Sequence, residues 1–261
     1  LDPMMPAALL EAPVYLTLLA LWAALAPLAF LYLLRHPAPY GRFAPADEAG
    51  SRRLGSRAAW MLMEAPAVVV FDAMFLAVGR RDPVSVAFVL LWNLHYLYRA
   101  LVYPAMLRGD RRVPWSIVGS AFLFNVVNGY LQAGYLFGIA EPRGVDWLLD
   151  PRFLVGTALF SLGFLVHVWS DGVLRRLRES GESGYGLPRG GLFDSVSCPN
   201  YLGEMTQWMG WAALTWSPAG WVFALWTVAN LLPRARATHR WYQKAFAEYP
   251  RERRAVLPWI F

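Results

Sequence analysis

The chain has one cysteine, Cys198, and four histidines in 261 residues. A single thiol excludes both an internal disulfide framework and a multi-cysteine zinc site. His36, His95, His167 and His239 lack metal-ligand spacing, so no metal is expected. Charge is also scarce: Asp, Glu, Lys and Arg make up 16% of the residues, against about 25% in an average soluble domain. Lysine is nearly missing, with Lys244 set against twenty-three arginines, a bias that fits a GC-rich genome such as that of many bacteria. There is no Gly-x-Ser-x-Gly nucleophile elbow. The glycines between Gly184 and Gly191 follow a helical stretch instead of a strand, so a Rossmann dinucleotide loop fails its context. No repeat, low-complexity tract or long polar linker divides the chain, which reads as one domain, 1–261.

Apolar residues, by contrast, are abundant: 57% are hydrophobic, and there are thirteen tryptophans, as suits a protein anchored at two lipid–water interfaces. A crossing needs about 20 largely apolar residues. Candidate spans lie at 12–34, 58–79, 83–107, 113–139, 152–174, 201–216 and 218–232. The expected fold is therefore an all-α polytopic membrane protein with seven transmembrane helices. Ser217-Pro218 separates the last two spans, because the residue before a proline is biased away from helix. They form either a tight hairpin or one kinked helix, and the charge pattern favours the hairpin. Opening on Asp2 and Glu11, with no basic residue before Arg35, the first apolar run is expected to be a retained span and not a cleaved signal.

The net charge of +6 marks topology, and no nucleic-acid partner is expected. Nineteen basic residues fall in the first, third and fifth loops and the tail, against Arg80, Arg81, Arg143 and Arg152 on the other side and Arg99 inside a span. The positive-inside rule then places the N-terminus outside and the tail, 233–261, in the cytosol. The glycine-rich loop 179–199 is expected to be a flexible cytosolic cover.

Ionisable groups in lipid cost roughly 2.5–3.5 kcal/mol each and so face a bundle interior or a wet cavity. Glu64 in the second span is either a buried protonated donor or relay, or an interfacial carboxylate satisfied by water or an arginine. Asp72, two turns on, either lines the same cavity or makes a polar contact. Tyr96, Arg99 and Tyr103 share a face of the third span. A phenol beside a cation can polarise a carbonyl, whereas the alternative is an aromatic interface belt. Asn125, Asn128 and Gln132 share a face of the fourth, where interhelix glue is the commoner role. His167, Asp171, Arg175 and Arg178 form a stripe at the end of the fifth; its arginines either hold phosphates or snorkel, and spacing alone favours the second. Asn200 and Glu204 open the sixth span, at a helix N-terminus suited to an anion or amide or to simple capping.

Several segments together resemble the steroid 5α-reductase family, over nearly the whole chain. The most specific are Gly190-Gly191-Leu192-Phe193 with Pro199-Asn200-Tyr201-Leu202-Gly203-Glu204, then His239-Arg240-Trp241-Tyr242, Phe246-x-x-Tyr249-Pro250 and the ending Leu257 to Phe261. Tyr40-Gly41, Arg57 to Pro66, His95-Tyr96-x-x-Arg99 and Asn128-Gly129-x-Leu131-Gln132 add to the resemblance. At five positions the chain departs from the animal enzymes' pattern: Met63, Ser120, His167, Gly186 and Thr238.

The resemblance implies a seven-helix reductase that holds NADPH within the bundle and reduces the C4–C5 double bond of 3-oxo-Δ4 steroids. It implies Glu64 and Tyr96 as catalytic donors to the ketone oxygen. It implies cofactor contacts from Tyr40, Asp171, Arg178, Asn200, Glu204 and Tyr242, with Arg99, Tyr103 and His239 added. A trans-2-enoyl-CoA reductase and an S-adenosylmethionine-dependent methyltransferase share parts of the pattern; a transporter or receptor is a third, non-enzymatic reading. Steroid and membrane lipid are the expected partners, and no obligate protein partner is predicted. The expected location is the inner membrane in a bacterial host or the endoplasmic reticulum in a eukaryotic one.

Overall fold

The computed structural model describes residues 11–39, 41–43, 53–78, 81–107, 112–180 and 185–257. Tyr40, expected at the cofactor, lies outside them. Among the described residues seven α-helices run in order: α1 (Ala12–Arg35), α2 (Ser56–Val78), α3 (Pro83–Met106), α4 (Trp115–Ala133), α5 (Pro151–Ser180), α6 (Pro199–Thr215) and α7 (Pro218–Ala245). Among the described residues, α1, α2, α3 and the Pro151–Arg178 part of α5 are long and apolar enough to cross a membrane.

The helix boundaries follow local chemistry. Asp82 caps α3: its carboxylate accepts from the backbone N–H groups of Val84 and Ser85 at 3.0 and 2.9 Å, with Pro83 in the first turn. Partial burial disfavours that carboxylate, but the hydroxyl of Ser85 and the backbone donors outweigh it and hold its pKa below the usual value. Asp150 caps α5, accepting from the Arg152 backbone and guanidinium, and its pKa is held down to about 2 by those bonds. A left-handed Trp216 (φ 41) ends α6, and Pro218 starts α7.

The helical expectation holds, with one addition: Arg53–Gly55 and Arg112–Pro114 pair as a short antiparallel ribbon, β1 and β2; three-residue strands are too short for an alternating pattern to reveal. Two boundaries change. The 113–139 span is a strand end, a 19-residue α-helix and then a π-helix over Gly134–Ile139. The last helix does not stop at 232 but runs through Pro233 to Ala245. Charge onset ended the apolar run, while Leu231 and Ala235 on either side of the proline stay packed with Met205 and Val256. That packing offsets the lost hydrogen bond.

The described residues form two compact units. One comprises 1–22, 39–154 and 217–219. In it α2 lies against α4, where Gly129 lets the helices approach: a Cβ there would stand 3.3 Å from the Val70 Cβ. Asn125 donates to the Met63 carbonyl (2.7 Å), Trp92 to the Ala67 carbonyl (2.9 Å) and Tyr15 to the Leu131 carbonyl. The stack of Phe71 on Trp92, 4.6 Å between centroids, fills the interior.

The other unit comprises 23–38, 155–216 and 220–261. Here α5 and α6 run antiparallel with bare backbones in contact. A Cβ on Gly163 would meet the Gly203 carbonyl at 2.5 Å, and one on Gly210 the Gly156 carbonyl at 2.6 Å. Helix α7 folds back along α6, with Phe223 on Trp208 (4.4 Å) and Arg234 over Tyr201 (5.7 Å), so the hairpin expectation holds. The described part of the glycine loop is pinned, unlike the flexible cover expected: Phe193 is fully buried against Trp169. Val196 bridges Arg254, and Arg253 donates to the Pro188 carbonyl at 3.0 Å.

Candidate active site

In the first unit α2, α3 and α4 bring their polar faces together. Glu64 is the centre of one cluster. Its Oε1 accepts from Arg99 Nη2 at 3.3 Å, and its Oε2 from Asn125 Nδ2 at 3.3 Å. The pair is sheltered, with side chains 12% and 10% exposed. Arg99 also lies over the rings of Trp60 (4.3 Å) and Tyr103 (5.1 Å). It sits in a π-helix, Tyr98–Val102, that interrupts α3. Such insertions are frequent at functional sites, and this one carries the arginine that meets Glu64.

Tyr96 stands in the same interior, 3% exposed. Asn128 Nδ2 donates to its hydroxyl oxygen at 3.3 Å. Asn125 and Asn128 are three residues apart on α4, so Glu64 and Tyr96 rest against neighbouring turns of one face. Neither the carboxyl nor the phenol turns outward to lipid. Asp72 is separate, held by Asn93 Nδ2 at 2.8 Å. Arg99 and Tyr103, expected at the cofactor, belong to the Glu64 cluster.

In the second unit, the stripe on α5 meets the start of α6. Asp171 Oδ1 accepts from Asn200 Nδ2 at 3.4 Å. The buried His167 ring lies 3.5 Å from the Asp171 carboxylate and 3.7 Å from that of Glu204, with its Nδ1 3.3 Å from the Asn200 carbonyl. Carboxylates, an amide and an imidazole thus converge at the N-terminus of a 17-residue helix. Arg178, two turns beyond Asp171, lies over the ring of Tyr185 at 5.8 Å.

His239 and Tyr242 on α7 belong to a third group. The His239 Nδ1 is 2.7 Å from Ser197 Oγ and 2.9 Å from the Tyr249 hydroxyl, and its Nε2 is 2.9 Å from Gln243 Nε2. Ser197 donates onward to the Arg254 carbonyl. Burial, then the nearby Arg254 and Arg253, push the imidazole pKa down. Burial pushes the Tyr249 phenol up, against the hydrogen bond it shares with Ser197 and the charge of Arg253. Tyr242 stacks on Tyr249 at 6.1 Å. Ser197, Tyr249 and Gln243 were not anticipated as partners of His239; only the spacing of His239 and Gln243, one helical turn apart, hinted at one of them.

The family described as 3-oxo-5-alpha-steroid 4-dehydrogenase matches residues 111–261. The chain is 38% identical over 259 residues to 3-oxo-5-alpha-steroid 4-dehydrogenase 1 of Bos taurus, covering 97% of each. The chain belongs to this family. Family members include oxidoreductases acting on CH–CH groups. The steroid 5-alpha-reductase DET2 of Solanum lycopersicum is 40% identical over 229 residues, covering 85% of this chain and 88% of the relative. The human 3-oxo-5-alpha-steroid 4-dehydrogenase 1 is 38% identical over 225 residues, covering 85% and 86%.

Proposed function

We propose that this family member reduces the C4–C5 double bond of 3-oxo-Δ4 steroids, using NADPH and yielding 5α-reduced 3-oxosteroids. The observation that carries the reading is the sheltered pairing of Glu64 and Tyr96 with amides of one α4 face, in a chain whose relatives bear this activity in their names. Four helices fit for a membrane, together with basic residues gathered in alternate loops, support seven crossings with the N-terminus outside and the C-terminus cytosolic.

The second unit's donor set suits a nicotinamide nucleotide. A carboxamide needs both donors and acceptors, which Asn200 and Asp171, hydrogen-bonded to each other, and Glu204, 3.7 Å from the His167 ring, offer. Arg178 at the polar end of α5 suits a phosphate. His239 and Tyr242, their rings committed to Ser197 and Tyr249, shape this side of the site. Asp171, Asn200, Glu204 and Arg178 would hold NADPH, which would supply the hydride that the reduction needs.

The chain's own residues do the rest. Tyr96 donates to the ketone oxygen, where negative charge grows as the enolate forms, and a donor fixed in a dry site acts strongly there. Glu64, held by Arg99 and Asn125, is the second group at that oxygen, donating when it carries a proton. The buried Trp92 ring, 4.6 Å from that of Tyr96, keeps the surroundings of the phenol apolar.

The test is purified protein with NADPH and testosterone, progesterone or a trans-2-enoyl-CoA, products identified by mass spectrometry. Deuterium from labelled NADPH is expected at C5 of a 5α-steroid. Turnover of the enoyl-CoA alone, or methyl transfer from S-adenosylmethionine, would overturn the reading.

A further inference from the structure

A chain of amides behind Tyr96 fixes which way its phenol proton points. Gln132 Nε2 lies 2.7 Å from the Ala219 carbonyl oxygen. A carbonyl only accepts, so the nitrogen of Gln132 must face it, and the amide cannot be flipped. The same Nε2 reaches Asn128 Oδ1 at 3.4 Å. That contact orients Asn128 in turn, directing its own NH2 at the Tyr96 oxygen, 3.3 Å away. Every bond in the series Gln132, Asn128, Tyr96 therefore runs in one direction. The phenol oxygen accepts from behind, so its proton is turned away from Asn128. Asn128 and Gln132 are each 1% exposed, so water does not compete.

We propose that Asn128 and Gln132 are positioning residues that keep Tyr96 in the donor sense toward the substrate ketone. Hydrogen bonds in series polarise one another, so an N–H donated into the phenol oxygen strengthens the O–H as a donor. The inference rests on the proposed ketone reduction by Tyr96. It adds that part of the catalytic power lies one and two residues behind the phenol, set by the fixed carbonyl of Ala219.

The test compares Tyr96→Phe, Asn128→Leu, Asn128→Ser and Gln132→Met, each checked for folding by thermal unfolding in detergent, with single-turnover rates and steroid KM measured. Asn128→Leu keeps the volume and removes the donor. Its rate should fall about 100-fold, on the scale of one lost oxyanion donor, with KM little changed. Asn128→Ser, which can still donate, should retain an intermediate rate. Gln132→Met should fall less than Asn128→Leu. The decisive readout is coupling: in the Tyr96→Phe background, Asn128→Leu should slow the reaction little further. A purely structural role would give additive losses. If Tyr96→Phe slows turnover but Asn128→Leu is wild-type-like or fully additive with it, the positioning role is overturned and the ketone reading stands. If Tyr96→Phe itself turns over at the wild-type rate, the ketone reading falls first. Should Asn128→Leu not fold, Asn128→Ser and Gln132→Met decide by the same coupling.

Discussion

Arg99 is held against Glu64 at 3.3 Å while its guanidinium lies 4.3 Å from the centre of the Trp60 ring. The cation is fixed on one side by charge and on the other by an aromatic face. Removing one partner of a sheltered pair costs about 3–5 kcal/mol, because the other is left uncompensated. Arg99→Met is therefore expected to lower the melting temperature strongly, and adding Glu64→Gln to recover part of the loss. Thermal unfolding of the single and double variants in detergent measures this; equal losses in both would show that the pairing contributes nothing.

The contact of α5 with α6 leaves no room for a methyl group. At Gly203 a Cβ would stand 2.6 Å from the His167 backbone nitrogen. Overpacking of this kind costs about 1–3 kcal/mol. Gly163→Ala and Gly203→Ala should each destabilise the protein by that order. They should also weaken NADPH binding, since His167 and Asn200 lie on the two helices being pried apart. Denaturation and cofactor titration check both effects. Gly172→Ala, whose Cβ would meet only the end of Arg176 at 3.6 Å, serves as the neutral control.

His239 makes stability depend on pH. Burial and the flanking arginines lower its folded pKa below the usual imidazole value. The unfolded chain then binds the proton more readily than the folded one. The stabilisation is present above about pH 6.5, the ordinary value, and is lost as pH falls through the lowered folded pKa. The melting temperature of the wild type should drop on acidification through this window, and that of His239→Gln should drop less. Parallel curves would remove the imidazole from the effect.

Arg253 is 1% exposed and donates to the Pro188 carbonyl, tying the segment before α6 to the chain's last described stretch. Arg253→Met should free that segment without unfolding the helices. Trypsin cleavage after Arg189 should accelerate several-fold while helical circular dichroism is unchanged. An unaltered cleavage rate would mean that Phe193 and the Val196–Arg254 bridge suffice.

Much of this was legible in the sequence, because lipid makes polar residues conspicuous. Glu64, Tyr96, Arg99, Asn128 and Gln132 stood out as groups that an apolar helix avoids, and the structure gathers them. Which partner each would take was not legible. That Arg99 meets Glu64 was not legible, because spacing cannot say that a π-turn in its own helix carries the residue there. Nor were Ser197 and Tyr249 beside His239, since they approach it from distant segments. Helix α7 was cut short at 232 because an apolar run and a helix end for different reasons, one at the first arginine and the other where packing stops. The ribbon β1–β2 gave no signal, as three residues carry no period.

Because α5 and α6 touch through bare Cα positions, no layer of side chains can compress or swell between them. The two behave as a fused girder, and the groups mounted within about two turns of the Gly163–Gly203 contact inherit its stiffness. His167 and Asp171 on one rod, and Asn200 and Glu204 on the other, keep a fixed gauge. On the proposed reading, a nucleotide held by these four would have to match their spacing as it stands, and tolerance for altered cofactors would have to come from elsewhere in the chain.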